Sequence, residues 1–364
     1  RMGGKDGLSD PRYVIQHGDE PEYSLVTRSS DGQLMFLVNK LSKMKHGTKL
    51  GSRIAEVHNG SSLFTGDAGQ GESNIRRWII ENDWLEAIVA LPLNMFYNTG
   101  IATYIWVLTN RKPERRKGKV QLIDATEWFK PLRKNLGKKN CELSLEDIRR
   151  ICDAFLAFEE TAQSKVFPNE AFGYWKITVE RPLRLRTEIT PDALAAFKRT
   201  ADERLHVAAE QLIGCASGPA QMDFNLVREQ FGAALKRSEV KLKPSELNQI
   251  FAAFTKRDEA AEPVNKKRTR DRVEYEPDPE LRDTEQVPLL EPGGIEAFFD
   301  REVRPHAPDA WIDQEATKIG YEISFTRYFY KPQKLRSLDD IRTDIVSLEK
   351  EAEGLLSEII GGGQ

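Results

Sequence analysis

The sequence predicts an α/β layer followed by a mainly helical region that ends in a long helix of coiled-coil type. Three observations carry this reading. Two nearly all-apolar segments, residues 85–91 and 99–108, lie among helical stripes, the pattern of buried strands in an open sheet. Beyond Asp124 the apolar residues fall mostly at helical spacing. Near the C-terminus, Leu338, Ile341, Ile345, Leu348, Ala352, Leu355 and Ile359 recur every three or four residues, an a/d seam over three heptads.

Taken in order, residues 1–31 read as loop. Residues 32–45 place Leu34, Leu37, Val38, Leu41 and Met44 on one helical face, and Gly47 stops the helix. A short strand is expected at 53–57, a turn at Asn59 and Gly60, and a helix at 73–82 with Ile75, Trp78 and Ile79 inward. Residues 85–91, 99–108 and 119–124 are strands. The first two are joined only by residues 92–98, too few for a crossover helix, so they are expected to be antiparallel. Ser144 and Asp147 suggest a capping box for a helix carrying Ile148, Ile151, Phe155 and Phe158. Residues 174–185 are a strand broken by Pro182. Thr190 and Pro191 open a helix to about residue 212, and helices follow at 224–236 and 245–255. Residues 257–292 are highly charged and include Pro263, Pro277, Pro279, Pro288 and Pro292, so an exposed linker or extended arm is expected. A short helix at 295–303, an aromatic extended stretch at 322–330 and the final helix at 338–360 complete the chain. The expected segments are therefore 1–125, 126–256, 257–292 and 293–364.

Composition narrows the function. With 54 basic and 57 acidic residues, a formal net charge of −3, the chain is not a globally basic nucleic-acid coat, though local basic patches remain. No run of 18 apolar residues exists, so no membrane span and no membrane partner is expected. Cys141, Cys152 and Cys215 lack C-x-x-C spacing, which points away from a zinc site and toward a reducing, cytoplasmic compartment. The phosphate loop, the H-E-x-x-H metal motif and the G-x-S-x-G elbow are all missing, and no metal site is expected. The stretch from Gly66 to Gly71 has the order G-x-x-G-x-G rather than that of a dinucleotide loop, and reads as a flexible surface loop. The opening residue Arg1 suggests the latter part of a longer protein. Basic residues crowd three places: Arg111, Lys112, Arg115, Arg116, Lys117 and Lys119; Lys130, Arg133, Lys134, Lys138 and Lys139; and Lys266, Lys267, Arg268, Arg270 and Arg272. Each cluster is either a solvated loop or a source of phosphate contacts.

Several strings carry a resemblance: GQLMFLVNKLSKMK, LPLNMFYNTGI within residues 51–110, the stretch EDIRRICDAFLAFEETAQSKVFPNEAFGYWKITVERPLRL, and GYEISFTRYFY with the final helix. Together they resemble the modification subunit of type I restriction–modification systems, an adenine-specific DNA methyltransferase. The resemblance implies the second half of a Rossmann-like methyltransferase sheet, in whose variant of the fold an antiparallel pair ends the sheet. It implies DNA as substrate, S-adenosylmethionine as methyl donor of the full-length protein, and a specificity subunit as partner. The resemblance further implies a restriction subunit in the larger complex, with a second modification subunit as a further candidate partner. The family's donor loop and N-P-P-[FY] tetrapeptide would precede the helix at 32–45, and neither is present. Asp10-Pro11-Arg12-Tyr13 has one proline and reads as a turn. This polypeptide alone is therefore expected neither to bind the donor nor to methylate, and no catalytic residue is assigned within it.

The resemblance makes Phe96, Tyr97, Asn98 and Thr99 candidates for contact with an unstacked target base. An aromatic ring offsets the unstacking cost, and Asn98 and Thr99 offer hydrogen bonds. The competing reading has Phe96 plugging the sheet and residues 98–100 making a turn. Arg111, Lys112, Arg115, Arg116, Lys117 and Lys119 are candidates for the DNA backbone. Leu338, Ile341, Ile345, Leu348, Leu355 and Ile359 are candidates for the subunit interface, with this protein's own helices or a second copy as the competing partner. A non-catalytic helical scaffold of a multisubunit DNA-processing complex is the alternative function.

Overall fold

The computed structural model describes residues 10–15, 23–216, 219–238, 241–268, 273–330 and 337–361, with side chains as far as Ala352 in the last stretch. A small ribbon of β1 (Val14–Ile15) and β2 (Tyr23–Ser24) leads into α1 (Gln33–Leu41), which buries Leu34, Leu37, Val38 and Leu41. Next come β3 (Arg53–Asn59), the short α2 (Ser61–Phe64), α3 (Gly71–Glu81), β4 (Leu85–Ala90), β5 (Thr103–Thr109) and β6 (Lys119–Asp124). A hairpin of β7 (Lys130–Leu136) and β8 (Lys139–Glu142), then α4 (Leu145–Ala157) and β9 (Ser164–Pro168), follow. The capping box that Ser144 and Asp147 suggest is formed at the start of α4.

These elements make a mixed sheet flanked by helices, in the order β3-β5-β4-β6-β9. β4 and β5 pair antiparallel, with Ile88 opposite Trp106, while β4 runs parallel to β6. The short connection between β4 and β5 requires the antiparallel pairing. Every residue of β4 is buried, because both faces of the sheet are covered. Ile88, Ala90 and Leu122 face α1 and α3, packing with Leu34, Ile75 and Ile79. Val89 and Ile123 face the other way, against Ile151 and Phe155 of α4. The sheet takes its last strand, β9, from beyond residue 125.

Next are β10 (Gly173–Glu180), β11 (Leu185–Thr187), α5 (Pro191–Thr200), α6 (Glu203–Cys215), α7 (Phe224–Arg237) and α8 (Pro244–Phe254). After them come β12 (Thr255–Arg257), β13 (Asn265–Arg268), β14 (Val273–Tyr275), β15 (Asp283–Pro288), α9 (Gly294–Phe298), β16 (Trp311–Tyr321), α10 (Phe325–Phe329) and α11 (Leu338–Gly361). Helices α5 to α8 share a core of Phe197, Leu212, Phe231, Ile250 and Phe254. A second, antiparallel sheet has the order β15-β10-β16, with Phe299 packed on Ile177, Val179 and Val287. Its β16 ends at Tyr321, which enters the core of the first sheet together with Ile323 and Phe325.

Four expectations are corrected. Residues 190–212 form two helices rather than one, broken at Ala201, which is extended. The described residues of 257–292 are paired into the fold rather than forming an extended arm. Leu183 N–H donates to Glu276 O at 2.8 Å, Val264 N–H donates to Leu183 O at 2.8 Å, and Val287 is buried opposite Trp175. Pro182, Pro263 and Pro277 sit at isolated bridges, where a missing N–H costs no continuous ladder. Residues 322–330 are not extended: the strand lies before them, and the aromatics 325–329 turn helically, with Phe325 stacked on Phe329. Finally, the glycine loop is a packed corner. Gly66 and Gly69 have φ of 89° and 82°, and a Cβ on Gly71 would lie 2.0 Å from Val26 O. Asp67 is tied to Lys176 of β10 by an ion pair, so the loop fastens the first sheet to the second.

Candidate nucleic-acid interface

Parallel β4 and β6 end on the same side of the sheet, where Ala125 N–H donates to Ala90 O at 3.0 Å. Carboxyl ends of parallel strands are where α/β sheets present ligand-binding loops. The connection from β4 to β5 emerges here. Pro92 is buried, and Met95 packs against the small core of Val89 and Ile123. Asn94 and Asn98 hold φ of 56° and 55°, the left-handed conformation that asparagine tolerates better than most residues. These two reversals push the aromatics outward: Phe96 is 37% exposed and Tyr97 68% exposed. Phe96 therefore does not plug the sheet. Asn98 is exposed, and the half-buried Thr99 accepts the Ile101 N–H at 3.4 Å.

A partner for this loop was not legible in the sequence. The β7–β8 hairpin starts from the same side of the sheet, after β6, and β8 runs along the loop. Lys139 Nζ donates to Met95 O at 2.9 Å, Asn140 N–H to Asn94 O at 3.1 Å, and the Cys141 thiol to Leu93 O at 3.2 Å. Burial pushes the Cys141 thiol pKa up, so it stays protonated as that donor. At the hairpin tip Gly137 has φ of 59°, and a Cβ there would lie 2.4 Å from Asn98 Oδ1. The sequence signal is present but weak: a glycine inside a basic stretch, with the β8 residues Lys139 and Cys141 lying 44 and 48 positions from the loop residues they brace.

The basic residues of 111–119 lie elsewhere. They join the end of β5 to the start of β6, at the opposite end of the sheet from Phe96. Two of them are corrected outright. Lys112 is buried, with Nζ 2.6 Å from Asp83 and donating to Lys119 O at 2.7 Å. Arg116 is buried beside Glu86 at 3.5 Å, sandwiched against Phe155 and Phe158 at 4.1 and 4.2 Å, and it donates to Phe155 O. Burial pushes the Lys112 pKa down and that of Arg116 to about 10. The cause lies in β4, where Glu86 is 1% exposed and demands a counter-charge. Of the others, Arg111 reaches His46 O at 2.9 Å, Arg115 reaches the carbonyls ending α4, Lys117 pairs with Glu114 at 2.6 Å, and Lys119 is exposed.

Asp10 caps a single 3-10 turn whose Tyr13 is buried in the core, so that string is the turn expected of it. The terminal seam is bare. Leu338, Ile345 and Leu348 are 84%, 59% and 64% exposed, and Ile341 is also exposed. Leu355 and Ile359 fall outside the described side chains. No group that could hold a metal ion occurs among the described residues, and no described helix is long and apolar enough to cross a membrane.

Residues 9–171 match the N-6 DNA Methylase family, a span that holds the whole first sheet, the aromatic loop and the basic hairpin. The chain resembles the methylase subunits of type I restriction enzymes. The type I restriction enzyme MjaIX methylase subunit of Methanocaldococcus jannaschii is 40% identical over 92 residues, which is 25% of this chain and 16% of that protein. The MjaVIII methylase subunit of the same organism is 35% identical over 134 residues, 36% of this chain and 21% of that protein. The matches thus span 16% and 21% of the length of these curated relatives. A solved type I restriction–modification methyltransferase subunit from Streptococcus thermophilus is 22% identical, with a TM-score of 0.37 over 47% of this chain and 32% of that one.

Proposed function

We propose that this chain is part of a type I restriction–modification DNA methyltransferase subunit. The full-length protein transfers a methyl group from S-adenosylmethionine to the exocyclic amine of adenine in DNA, acting with a specificity subunit and, in the larger complex, a restriction subunit and a second modification subunit. The observation that carries this reading is the exposed pair Phe96 and Tyr97 at the carboxyl ends of β4 and β6, inside the segment matched to N-6 DNA methylases. The antiparallel β4–β5 pair beside parallel β6 suits the methyltransferase variant of the Rossmann-like fold.

The residues present do not fit the methyl donor. The glycine-rich corner is filled by the chain's own Val26 and Glu72, and Asp67 and Glu72 are unsuited to the donor's carboxylate. No step is therefore assigned to donor binding or amine activation here, and both fall to residues outside this chain. What these residues contribute is reception of the base. An adenine out of its stack loses a few kcal/mol, which one aromatic face offsets by about 1–3 kcal/mol. Phe96 supplies that face, with Tyr97 beside it. Asn98 and Thr99 meet the base edge or the adjoining backbone.

In the full-length subunit assembled with its specificity subunit, Phe96→Ala should lower methyl transfer about 10- to 100-fold, the equivalent of that stacking energy. Donor affinity and the thermal midpoint should stay at wild-type values, since Phe96 belongs to none of the described core clusters. A lowered midpoint, with activity lost only in proportion to folded protein, would make Phe96 a packing residue and remove the reading's main support.

The bare seam of α11 favours the scaffold reading for the last part of the chain. The two readings are compatible: α11 docks onto long helices of the specificity subunit, pairing with them as a coiled coil, while the sheet meets DNA in the cytoplasm.

A further inference from the structure

The loop that carries Phe96 and Tyr97 is held by the basic two-stranded β7–β8 hairpin, which follows β6. Residues 130–142 contain Lys130, Arg133, Lys134, Lys138 and Lys139 against the single carboxylate Glu142. Lys139 is committed to Met95 O, but Lys130, Arg133, Lys134 and Lys138 are exposed. None of these four has an ion-pair partner among the described residues, in contrast to Lys112, Arg116 and Lys117 at the other end of the sheet. Free cations on an exposed two-stranded ribbon keep their full attraction for an anionic polymer. Cations already paired with carboxylates or carbonyls lose much of theirs.

We propose that the β7–β8 hairpin grips the phosphate backbone of a DNA strand beside the base that the Phe96 loop receives. This rests on the reading of that loop as a base-contacting element. Three bonds from Lys139, Asn140 and Cys141 fix β8 to Leu93, Asn94 and Met95, and the tip glycine abuts Asn98. The ribbon and the aromatic loop therefore move as one body. A phosphate held by Lys130, Arg133, Lys134 or Lys138 has its base placed at a set distance from Phe96. The hairpin supplies affinity without sequence preference, because phosphate contacts carry no base information. The partner is DNA rather than an acidic protein, because exposed aromatics adjoin the cations and stack on bases.

The test is the salt dependence of binding to a fluorescein-labelled duplex of mixed sequence, measured with the full-length subunit assembled with its specificity subunit. Each phosphate contact contributes about 0.9 to the slope of log affinity against log salt concentration. The quadruple variant Lys130→Gln, Arg133→Gln, Lys134→Gln, Lys138→Gln should lower that slope by roughly 3 to 4. The double variants Lys130→Gln, Arg133→Gln and Lys134→Gln, Lys138→Gln should each give about half of this, so the result does not hang on one variant's folding. Lys117→Gln, Lys119→Gln at the far end should leave the slope at its wild-type value. A hairpin variant with the wild-type slope overturns the proposal, as does a slope lost equally in the far-end variant. If the slope is unchanged but Phe96→Ala still lowers methylation as expected, the hairpin claim falls alone. If the slope drops while Phe96→Ala leaves methylation intact, the base-contact reading falls and the hairpin stands as a backbone contact only.

Discussion

Removal of residues 337–364 from the full-length subunit should leave its thermal midpoint unchanged, lower the helical circular-dichroism signal only by the share of the deleted helix, and abolish co-purification with the specificity subunit. The described part of α11 explains both halves of this outcome. Leu338, Ile341, Ile345 and Leu348 are all exposed, and none joins a core cluster, so the fold loses no packing when they go. Yet an isolated helix is marginal in water, and this one keeps an unbroken apolar seam over three heptads. Burying six large aliphatics against partner helices contributes on the order of 10 kcal/mol before association costs. The chain's own helical region, one of the two competing partners, is already closed around Phe231 and Phe254. Unfolding of the truncated protein with the subunits still associated would make α11 an internal element. A change only from dimer to monomer would assign the seam to a second copy.

Arg76→Ala should cost the protein about 3–5 kcal/mol of stability, the largest effect expected of a single substitution. Arg76 is fully buried on α3, and its guanidinium serves three separate segments. Nε donates to Tyr321 O at 2.6 Å, Nη1 to Ser62 O at 3.1 Å and Nη2 to Gly66 O at 3.4 Å. It therefore joins the last residue of β16 to α2 and to the glycine corner, across 245 residues of chain. Burial pushes its pKa down to about 10, still far above neutrality, so the cation persists at working pH. Truncation leaves buried carbonyls without donors, each costing about 1–3 kcal/mol, and opens a cavity as well. Arg76→Lys retains the charge but not the fork, and should fall between the two. Urea unfolding is the check; a wild-type midpoint for Arg76→Ala would show that the two sheets are not held together through this residue.

What was legible in the sequence was what periodicity and chain length dictate locally. The stripe of α1, the apolar run of β4 and the seven residues between the β4 and β5 segments were enough for the antiparallel pair. Of the second sheet only β10 is legible, as the strand expected at 174–185; β15 and β16 are hidden because they are half solvent-facing. β16 carries Asp313, Gln314, Glu315 and Lys318 in its eleven residues, so no clean alternation stands out. β15 has one buried side chain, Val287. The prolines of 257–292 looked like a linker because their pairing with residues 182–184 is non-local. Lys112 and Arg116 looked like phosphate contacts because charge density alone does not say which way a side chain faces. The available clue was Glu86, a carboxylate inside an otherwise apolar strand, which had to find a cation in the interior. The reverse holds for the candidate site. Phe96 was found through the LP-x-x-MFYNTGI string, but its bracing hairpin is a tertiary contact that no spacing rule reports.

On the proposed reading, the loop of residues 93–98 receives an unstacked base from DNA. The most direct measurement replaces the target adenine in a duplex by 5-iodouracil, irradiates the complex with the assembled full-length enzyme, and maps the cross-linked residue by mass spectrometry. Photo-coupling favours an aromatic ring stacked on the halogenated base. The expected cross-link is to Phe96 or Tyr97, abolished at that position in Phe96→Ala, Tyr97→Ala. A cross-link confined to other segments, such as β13 and β14, with Phe96 and Tyr97 unlabelled, would contradict it.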